Sequence, residues 1–429
     1  MKDKIKKTIG WSALLILSFI PAFLWFFSGN GKNQLFIDPL HSLGQIFGLA
    51  GMTMFALTFV LSTRLKFIDD IFGGLDKTYA VHGMLGGMAL ILILFHPIFL
   101  VLNFIPNQIN LAMKFLLPSS NISINFGIIS LTGMILLIAI TLFGKIKYNK
   151  WKFSHEFLGA VFIFAVLHIF LVRGSVSIDN IFPGYYIYAA IVSIVGLVAF
   201  GYSLFLRKKF RGTFYTVESV NEKNDCFEIV MTPKDKPLEY KSGQFVFVSF
   251  YSKDLSREAH PFSIASKSNS YKLNIIAKKL GDFTNEMGKI NAGDKVLVEG
   301  PYGKFNFKTE KNQIWIAAGI GITPFIGMAM DLENSNKKTD LYYVSRSRNF
   351  IREEIFSEIQ KKNDSFKFIQ WKSDVDGRFS AEEIKKSGEL KDKEFFICGP
   401  EQFKEEIING LIKSEVDKEN IHHEEFDFK

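Results

Sequence analysis

Four histidines lie in two long apolar segments of the sequence. His82 and His96 bound the run HGMLGGMALILILFH, and His155 and His168 bound the run HEFLGAVFIFAVLH. A single polar ring in such a segment is most simply explained by a hydrogen bond to a neighbouring carbonyl. Two pairs in two segments favour a different explanation, because neutral imidazole is a common metal ligand. The pattern therefore predicts metal ligation.

The two runs present their histidines at matching depths. With a helical rise of about 1.5 Å per residue, the two histidines of each run are separated by roughly 20 Å. If both helices cross the membrane in the same direction, His82 pairs with His155 and His96 pairs with His168. One imidazole from each of two facing helices is the axial ligand set of a haem without an open coordination position. We therefore expect two stacked bis-histidine haems that pass electrons and do not bind a reactant.

An ideal helix does not accommodate both pairs equally well. At about 100° per residue, His96 returns to within about 40° of His82, whereas His168 falls about 140° from His155. We expect tilt, a π-bulge or another irregularity in the helix that carries His168, or haems that enter from different sides. Pro97 is expected to free a carbonyl and to kink its helix near the second haem.

Small and polar residues near the histidines suggest further roles. Gly83, Gly86 and Gly87 would allow a flat macrocycle to approach the backbone. His41 is expected to be an interfacial histidine, with a role beside the outer haem as the alternative. Arg173 either anchors the membrane interface or pairs with a haem propionate.

The first half of the sequence contains six apolar runs without charged residues. Leaving histidine aside, these runs cover residues 8–31, 39–63, 78–113, 115–144, 157–172 and 180–206. Most reach the roughly 20 residues that a bilayer span requires, and the fifth can extend back through Phe153 and His155. We predict six transmembrane helices. A cleavable signal peptide in the first run is the disfavoured alternative, because no small-residue cleavage site follows it.

Basic residues are concentrated on one side of these spans. They lie in KDKIKK at 2–7, KIKYNKWK at 145–152 and RKKFR at 207–211, with far fewer on the other side. The positive-inside rule places the N-terminus and all residues after 211 in the cytoplasm, as expected for a multi-pass plasma-membrane protein. The net charge of +8 then reflects contacts with anionic lipid and requires no nucleic-acid partner.

The second half of the sequence changes to short strands. FVFVSF at 245, YKLNIIAKKL at 271 and KVLVEG at 295 predict a small antiparallel β-barrel. From Gln313 onward, NQIWIAA, LYYVSRSRN and FFICGPEQF begin successive strand–turn–helix units. These units predict an α/β domain with a parallel sheet that binds its ligand at the carboxyl ends of the strands. The predicted domains are residues 1–210, 211–309 and 310–429.

The sequence has only two cysteines, Cys226 and Cys398. Both are expected in the cytoplasmic half, which argues against a disulfide framework and against a cysteine-ligated metal centre.

Several motifs in the second half occur in a recognisable order. HPFSI, GDFT, VEGPYG, AAGIGITPF, FFICGPEQF and the closing EEF follow a six-span region with paired histidines. Together they resemble the ferric reductase and NADPH oxidase family over essentially the whole chain. GIGITP alone would be weak support, because it lacks the third glycine of the dinucleotide fingerprint. The resemblance implies a six-helix di-haem domain, an FAD-binding barrel and an NADPH-binding α/β domain.

The resemblance assigns flavin-binding roles to residues of the barrel. Ser263 would hydrogen-bond near the reactive flavin nitrogen, Pro261 and Phe262 would pack beside the isoalloxazine, and His260 would lie near the FAD phosphates. A helix start with a point charge nearby suits the pyrophosphate. The residues implied there are Lys278, Gly281 and Thr284. Phe426 would cover the flavin until nicotinamide displaces it, with Phe428 as the alternative because the sequence ends FDFK.

The resemblance also implies a nicotinamide dinucleotide site in the last domain. The residues that would cradle the dinucleotide are Gly319, Gly321, Thr323 and Pro324. The residues implied beside the nicotinamide are Cys398, Gly399 and Pro400. Arg346 and Arg348 stand where a 2′-phosphate would be bound, without an acidic residue at the strand end, so NADPH is favoured over NADH.

These residues together predict transmembrane electron transfer. NADPH would pass hydride to FAD, and single electrons would move through an inner haem b (His82, His155) and an outer haem b (His96, His168). The acceptor is expected to be oxygen, giving superoxide by outer-sphere transfer, or alternatively a ferric chelate. A transporter or proton channel with a histidine relay, and a flavin reductase merely tethered to the membrane, are further alternatives. No EF-hand loop or long cytoplasmic insertion is present, so we expect no obligatory regulatory subunit.

Overall fold

The computed structural model describes residues 2–27, 35–172, 183–306, 311–332, 337–346, 352–386 and 388–424. The chain divides into two compact units, Met1–Arg207 and Lys208–Lys429. The first unit is helical, and the second contains two β-sheets with short helices.

Six helices among the described residues are long and apolar enough to cross a membrane. These spans are Ile5–Phe26, Pro39–Leu61, Leu75–Leu102, Ile122–Phe143, Tyr148–Leu171 and Ile187–Arg211. Short helices Lys66–Phe72 and Ile109–Leu116 lie between spans. The predicted set of six spans is confirmed.

The third span differs from its predicted bounds at both ends. It begins at Leu75, directly after Gly74, whose φ of 134° is unfavourable for other residues. It ends at Leu102, and a separate helix begins at Ile109. The prediction of one uninterrupted segment over residues 78–113 was therefore wrong at its C-terminal end.

The fifth span contains the irregularity expected from the histidine spacing. Tyr148–Glu156 and Leu158–Leu171 are separate helices joined at Phe157. The Phe157 N–H donates to the Ser154 carbonyl at 3.2 Å, which is the tighter i to i−3 pattern. This break changes the relative rotation of the two histidines on the span. The sixth span also contains an irregularity, a π-helical turn at Tyr202–Leu206 between the α-helices Pro183–Gly201 and Arg207–Arg211.

The second unit begins with an antiparallel six-stranded sheet. Its strands are β1 (Gly212–Lys223), β2 (Cys226–Pro233), β3 (Phe245–Phe250), β4 (His260–Ser263), β5 (Leu273–Lys278) and β6 (Lys295–Tyr302). Their order is β4-β3-β6-β1-β2-β5. A bridge between Ile264 and Ile275 brings the two edge strands together, so the sheet curls into the predicted barrel. Short helical turns follow β5 at Asp282–Asn285 and Met287–Lys289.

A parallel five-stranded sheet completes the second unit. Its strands are β7 (Asn312–Ala318), β8 (Thr339–Ser345), β9 (Phe366–Lys372), β10 (Lys393–Cys398) and β11 (Ile421–His423), in the order β11-β10-β7-β8-β9. The accompanying helices are Thr323–Asp331, Glu353–Lys362, Ser373–Asp376, Ala381–Lys385 and Glu401–Lys413, with 3₁₀ turns at Gly319–Ile322 and Lys418–Asn420. This arrangement confirms the predicted fold class and places the ends of β7, β8 and β10 at one edge.

Polar contacts connect the barrel to the parallel sheet. Glu228 on β2 is buried, and its Oε1 accepts from Asn274 Nδ2 at 2.7 Å and from Arg352 Nε at 2.5 Å. Ser268 of the barrel also hydrogen-bonds Asp331, at the end of the first helix after β7. A buried carboxylate is stable only when its oxygens have partners, so these bonds fix how the two sheets of this unit pack.

Candidate functional site

The structure brings the intramembrane histidines together in two pairs. The ring centroids of His82 and His155 are 6.0 Å apart, and those of His96 and His168 are 6.2 Å apart. An ion bound at about 2 Å from one nitrogen of each ring would separate the centroids by roughly 6 Å. Each pair therefore has room for one metal ion between its rings.

Backbone carbonyls orient three of the four imidazoles. Nδ1 of each of these rings lies within hydrogen-bond distance of one carbonyl oxygen: His82 at 2.9 Å from Thr58, His96 at 2.7 Å from Gly44, and His168 at 2.8 Å from Ser123. Because a carbonyl can only accept, Nδ1 must carry the proton and donate it. The lone pair is then on Nε2, as is usual for a histidine that binds a metal.

The fourth imidazole is positioned differently. His155 Nδ1 lies 3.2 Å from the Thr141 hydroxyl, and that hydroxyl donates to the Leu137 carbonyl at 2.8 Å. Thr141 Oγ1 therefore accepts from His155. The ring also stacks on Trp151, with centroids 5.4 Å apart and an angle of 19° between the planes.

These residues fit a haem at each pair. No group of three or more histidine, cysteine or carboxylate residues suited to a metal occurs among the described residues. Each pair thus supplies two protein ligands, and a porphyrin would supply the other four. A Cβ added at Gly83 or Gly87 would meet nothing within 4 Å, so the third span leaves the space beside it that the predicted close approach requires.

A polar network lies at the predicted outer end of the second span. His41 Nε2 and Gln45 Nε2 are 3.1 Å apart, and Trp25 Nε1 donates to Gln45 Oε1 at 2.9 Å. The backbone N–H of His41 donates to Asp38, which caps the helix. This network gives His41 hydrogen-bond partners, and its position at the membrane interface stays a prediction. Arg173 lies outside the described residues.

The predicted flavin residues lie on an edge strand of the barrel. Pro261, Phe262 and Ser263 belong to β4, where Phe262 and Ser263 are buried and Ser263 is directly opposite Phe245 on β3. The His260 ring stacks on Phe283 with centroids 3.9 Å apart, which links β4 to the helical turn after β5. The structure therefore brings HPFS and the GDFT turn together.

The residues predicted to bind the pyrophosphate differ in whether they are free to contact a ligand. Gly281 faces open space, and Lys278 is exposed at the end of β5. The Thr284 hydroxyl accepts from the backbone N–H groups of Leu280 and Gly281, each at 3.0 Å. Its observed role is to shape the turn, and its contact with phosphate stays a prediction.

The glycine turn after β7 packs against the end of β10. A Cβ at Gly321 would collide with the Cys398 carbonyl, so only glycine allows this approach. Gly319 has a φ of 55° and open space beside it. Thr323 is buried and donates to the Ile320 carbonyl at 2.8 Å, which closes the turn before the helix that contains Pro324.

Cys398 ends β10 as a buried, protonated thiol. It is 1 % exposed, burial raises the pKa of the thiol well above its ordinary value, and the nearby Glu424 carboxylate raises this pKa further. Gly399 and Pro400 follow directly and lead into the helix that begins at Glu401.

The predicted cofactor-selective arginines follow β8. Arg346 is exposed immediately after Ser345, the last residue of that strand. Arg348 lies outside the described residues.

The sequence interpretation overlooked Glu424. This residue is buried, and a Cβ at Gly303 of the barrel would collide with its Oε1. Lys404, which is 2 % exposed, donates to the Glu424 carbonyl at 2.9 Å. These contacts place Glu424 between the barrel and the end of β10, two residues before Phe426. Phe426 and Phe428 lie outside the described residues. The EEF motif was the available signal, but only its phenylalanine was interpreted.

Three segments of the chain match known domain families in the order that the structure shows. Residues 47–166 match the ferric reductase like transmembrane component, residues 210–306 match an FAD-binding domain, and residues 315–408 match the oxidoreductase NAD-binding domain. The chain matches a ferric reductase/NADPH oxidase-like fusion. The matched domains are a multi-pass membrane domain followed by an FAD-binding domain and an oxidoreductase NAD-binding domain.

Curated relatives share about half of the fusion. The phenol hydroxylase P5 protein of Acinetobacter pittii is 24% identical over 49% of this chain and 64% of its own length. The flavohemoprotein of Vibrio cholerae is 26% identical over 50% of this chain and 59% of its own. The chain therefore spans less than two thirds of these relatives. Among solved structures, Amycolatopsis cytochrome P450 reductase GcoB is 21% identical with a TM-score of 0.46, over 50% of this chain and 70% of that one.

Proposed function

We propose that the fusion moves electrons across a membrane from NADPH to an acceptor on the far side. This proposal rests mainly on the two cross-helix histidine pairs, in which carbonyls orient three imidazoles and a hydroxyl orients the fourth. Bound FAD would convert hydride into single electrons, and two bound haem b groups would relay them. A histidine proton relay accounts less well for the pairs, because an Nδ1–H bound to a carbonyl cannot pass its proton onward.

The inner haem would be held by His82 and His155, and the outer haem by His96 and His168. In both pairs the rings are half-buried within the helical unit, and hydrogen bonds to protein groups orient them. Fixed ligands need little rearrangement on electron transfer. The chain's contribution is thus to hold two six-coordinate sites at two depths of the bilayer.

The dehydrogenase chemistry would occur where the edge of the barrel meets the carboxyl end of the parallel sheet. Ser263 would donate a hydrogen bond to the flavin, and Cys398 would pack a neutral thiol beside the nicotinamide. The raised pKa of Cys398 supports this role, because a thiol that stays protonated places no charge beside the nicotinamide ring. Arg346 would bind the 2′-phosphate of NADPH.

Oxygen is the acceptor that we favour, with superoxide as its product. Both axial positions of each haem would be filled, so the acceptor would receive its electron without binding iron. A small diatomic molecule needs no dedicated binding groups for such a transfer. We further propose that the protein lies in the plasma membrane with its N-terminus and dehydrogenase unit in the cytoplasm, and that it acts without a regulatory subunit.

The acceptor can be tested with the purified full chain in lipid nanodiscs. NADPH and FAD are supplied, and the initial rate of NADPH oxidation is measured under two conditions. In one, oxygen is the acceptor; in the other, a ferric chelate is the acceptor and oxygen is removed with argon. Superoxide is measured as the part of cytochrome c reduction that superoxide dismutase suppresses. Faster turnover with oxygen and stoichiometric superoxide supports the oxidase. Faster turnover with the chelate would replace it with a ferric reductase, and activity that requires an added protein would overturn the claim of autonomy.

A further inference from the structure

The two histidine pairs differ in one hydrogen bond. In the outer pair, both Nδ1–H groups donate to backbone carbonyls, at 2.7 Å for His96 and 2.8 Å for His168. In the inner pair, His82 donates to a carbonyl at 2.9 Å, but His155 donates to the Thr141 hydroxyl at 3.2 Å. His155 is therefore the imidazole with the weakest acceptor.

The acceptor on Nδ1–H changes how strongly an imidazole binds a metal. A good acceptor draws the proton away and makes Nε2 a more basic ligand. A more basic ligand stabilises the ferric state more than the ferrous state, which lowers the midpoint potential. A hydroxyl that already donates elsewhere is a weaker acceptor than a carboxylate, but it still contributes to this effect.

Thr141 is well placed to act in this way without holding the ring mechanically. It lies on the fourth span, near that span's end at Phe143, and its own proton is engaged by the Leu137 carbonyl. Trp151, one turn earlier on the same helix, stacks on His155 and keeps the ring in its orientation. Removing the hydroxyl would thus change the hydrogen bond and leave the stacking contact in place.

We propose that Thr141 is a positioning residue that lowers the midpoint potential of the inner haem through His155. This inference rests on the proposed haem ligation. The proposal adds that one side chain on the fourth span, which carries none of the four histidines, changes the midpoint potential of one haem independently of the other. The other three acceptors are backbone carbonyls, so Thr141 is the position among the four where substitution removes the acceptor directly.

The test is a spectroelectrochemical titration of the purified full chain without NADPH. Thr141→Val keeps the side-chain shape and removes the acceptor, and Thr141→Ala serves if the valine variant does not fold. Thr141→Ser keeps the hydroxyl and is the rescue variant. Thr53→Val is the matched control, because the Thr53 hydroxyl donates to Leu49 at 2.9 Å in the same i to i−4 manner.

We expect two haem components in the wild type and a positive shift of only one of them in Thr141→Val. Thr141→Ser and Thr53→Val should keep both wild-type values. His96→Ala leaves the inner pair complete. When Thr141→Val is added to His96→Ala, the midpoint potential of the one remaining haem should also shift in the positive direction. If Thr141→Val contains two haems and neither midpoint potential shifts, or both shift equally, the proposed role of Thr141 is overturned but the proposed function is not. A wild type without haem would overturn the proposed function and this inference together.

Discussion

The His168 ring lies directly against Gly127 of the fourth span. A Cβ at Gly127 would be 2.8 Å from His168 Nδ1, and a Cβ at Gly48 of the second span would be 2.8 Å from His96 Nδ1. Neither glycine is on a span that carries the histidines. The pocket for each outer imidazole is thus formed by the absence of a side chain on a neighbouring helix.

Substituting these glycines should weaken the outer haem selectively. In Gly127→Ala or Gly48→Ala the new methyl group must displace an imidazole that a carbonyl also holds, which should weaken haem binding about 10–100-fold. Pyridine haemochrome analysis should show haem content falling from two toward one per chain. Gly133→Ala is the control, since its Cβ would meet only the Val161 methyl, at 2.8 Å. Full haem content in both test variants would contradict the assigned pockets.

Removing an outer ligand should separate haem reduction from acceptor reduction. His96→Ala should lose the outer haem and reduction of the external acceptor, while NADPH still reduces the inner haem under argon. His422→Ala is a suitable control, because His422 belongs to β11 of the parallel sheet. Stopped-flow spectra of the haem bands measure both steps. Normal acceptor turnover in His96→Ala would show that electrons do not pass through the outer pair.

Arg346 should determine the choice between NADPH and NADH. Arg346→Ala should raise KM for NADPH about tenfold, the value of one charge-assisted hydrogen bond, and leave KM for NADH unchanged. Steady-state kinetics with both nucleotides measure the effect. Arg378→Ala removes another exposed arginine, one that pairs with Glu406, and should change neither constant. An equal rise for both nucleotides in Arg346→Ala would mean that Arg346 does not contact the 2′-phosphate.

The buried Cys398 thiol should make the fold sensitive to alkali. Its pKa is raised in the folded chain above an ordinary value of 9.0. The thiol therefore adds stability below pH 9.0, and this stability is lost as the pH rises toward the folded-state pKa, by about 1.4 kcal/mol per pH unit. The unfolding temperature of the wild type should fall more steeply above pH 9 than that of Cys398→Ala. Parallel slopes would show that Cys398 is not protonated and buried as described.

Much of the membrane unit was predictable because its spans are runs without charge. The absence of charged residues did not mark the end of the third span at Leu102, because the polar residues that follow it are uncharged. The same criterion excluded Asp76 from the third span, although this residue is buried in the first turn of that helix. The break at Phe157 was anticipated only through histidine spacing, since the residues around it are typical of helices.

The histidine pairs were predictable from residue type and spacing, but their orientation was not. Thr58, Gly44 and Ser123 act through backbone carbonyls, so the residue types at these positions carry no signal. Trp151 precedes His155 by one helical turn, and this contact was available from spacing alone. Glu424 required the fold, because its neighbours Gly303 and Lys404 are distant in sequence.

Reduction of the haem bands by NADPH under argon tests the central claim most directly. The purified, FAD-loaded chain should show two haems per chain, and both should become reduced by NADPH before any acceptor is added. Admitting oxygen should then reoxidise them with release of superoxide. Absent haem bands, or bands that NADPH does not change, would contradict electron transfer from the dehydrogenase unit through the histidine pairs.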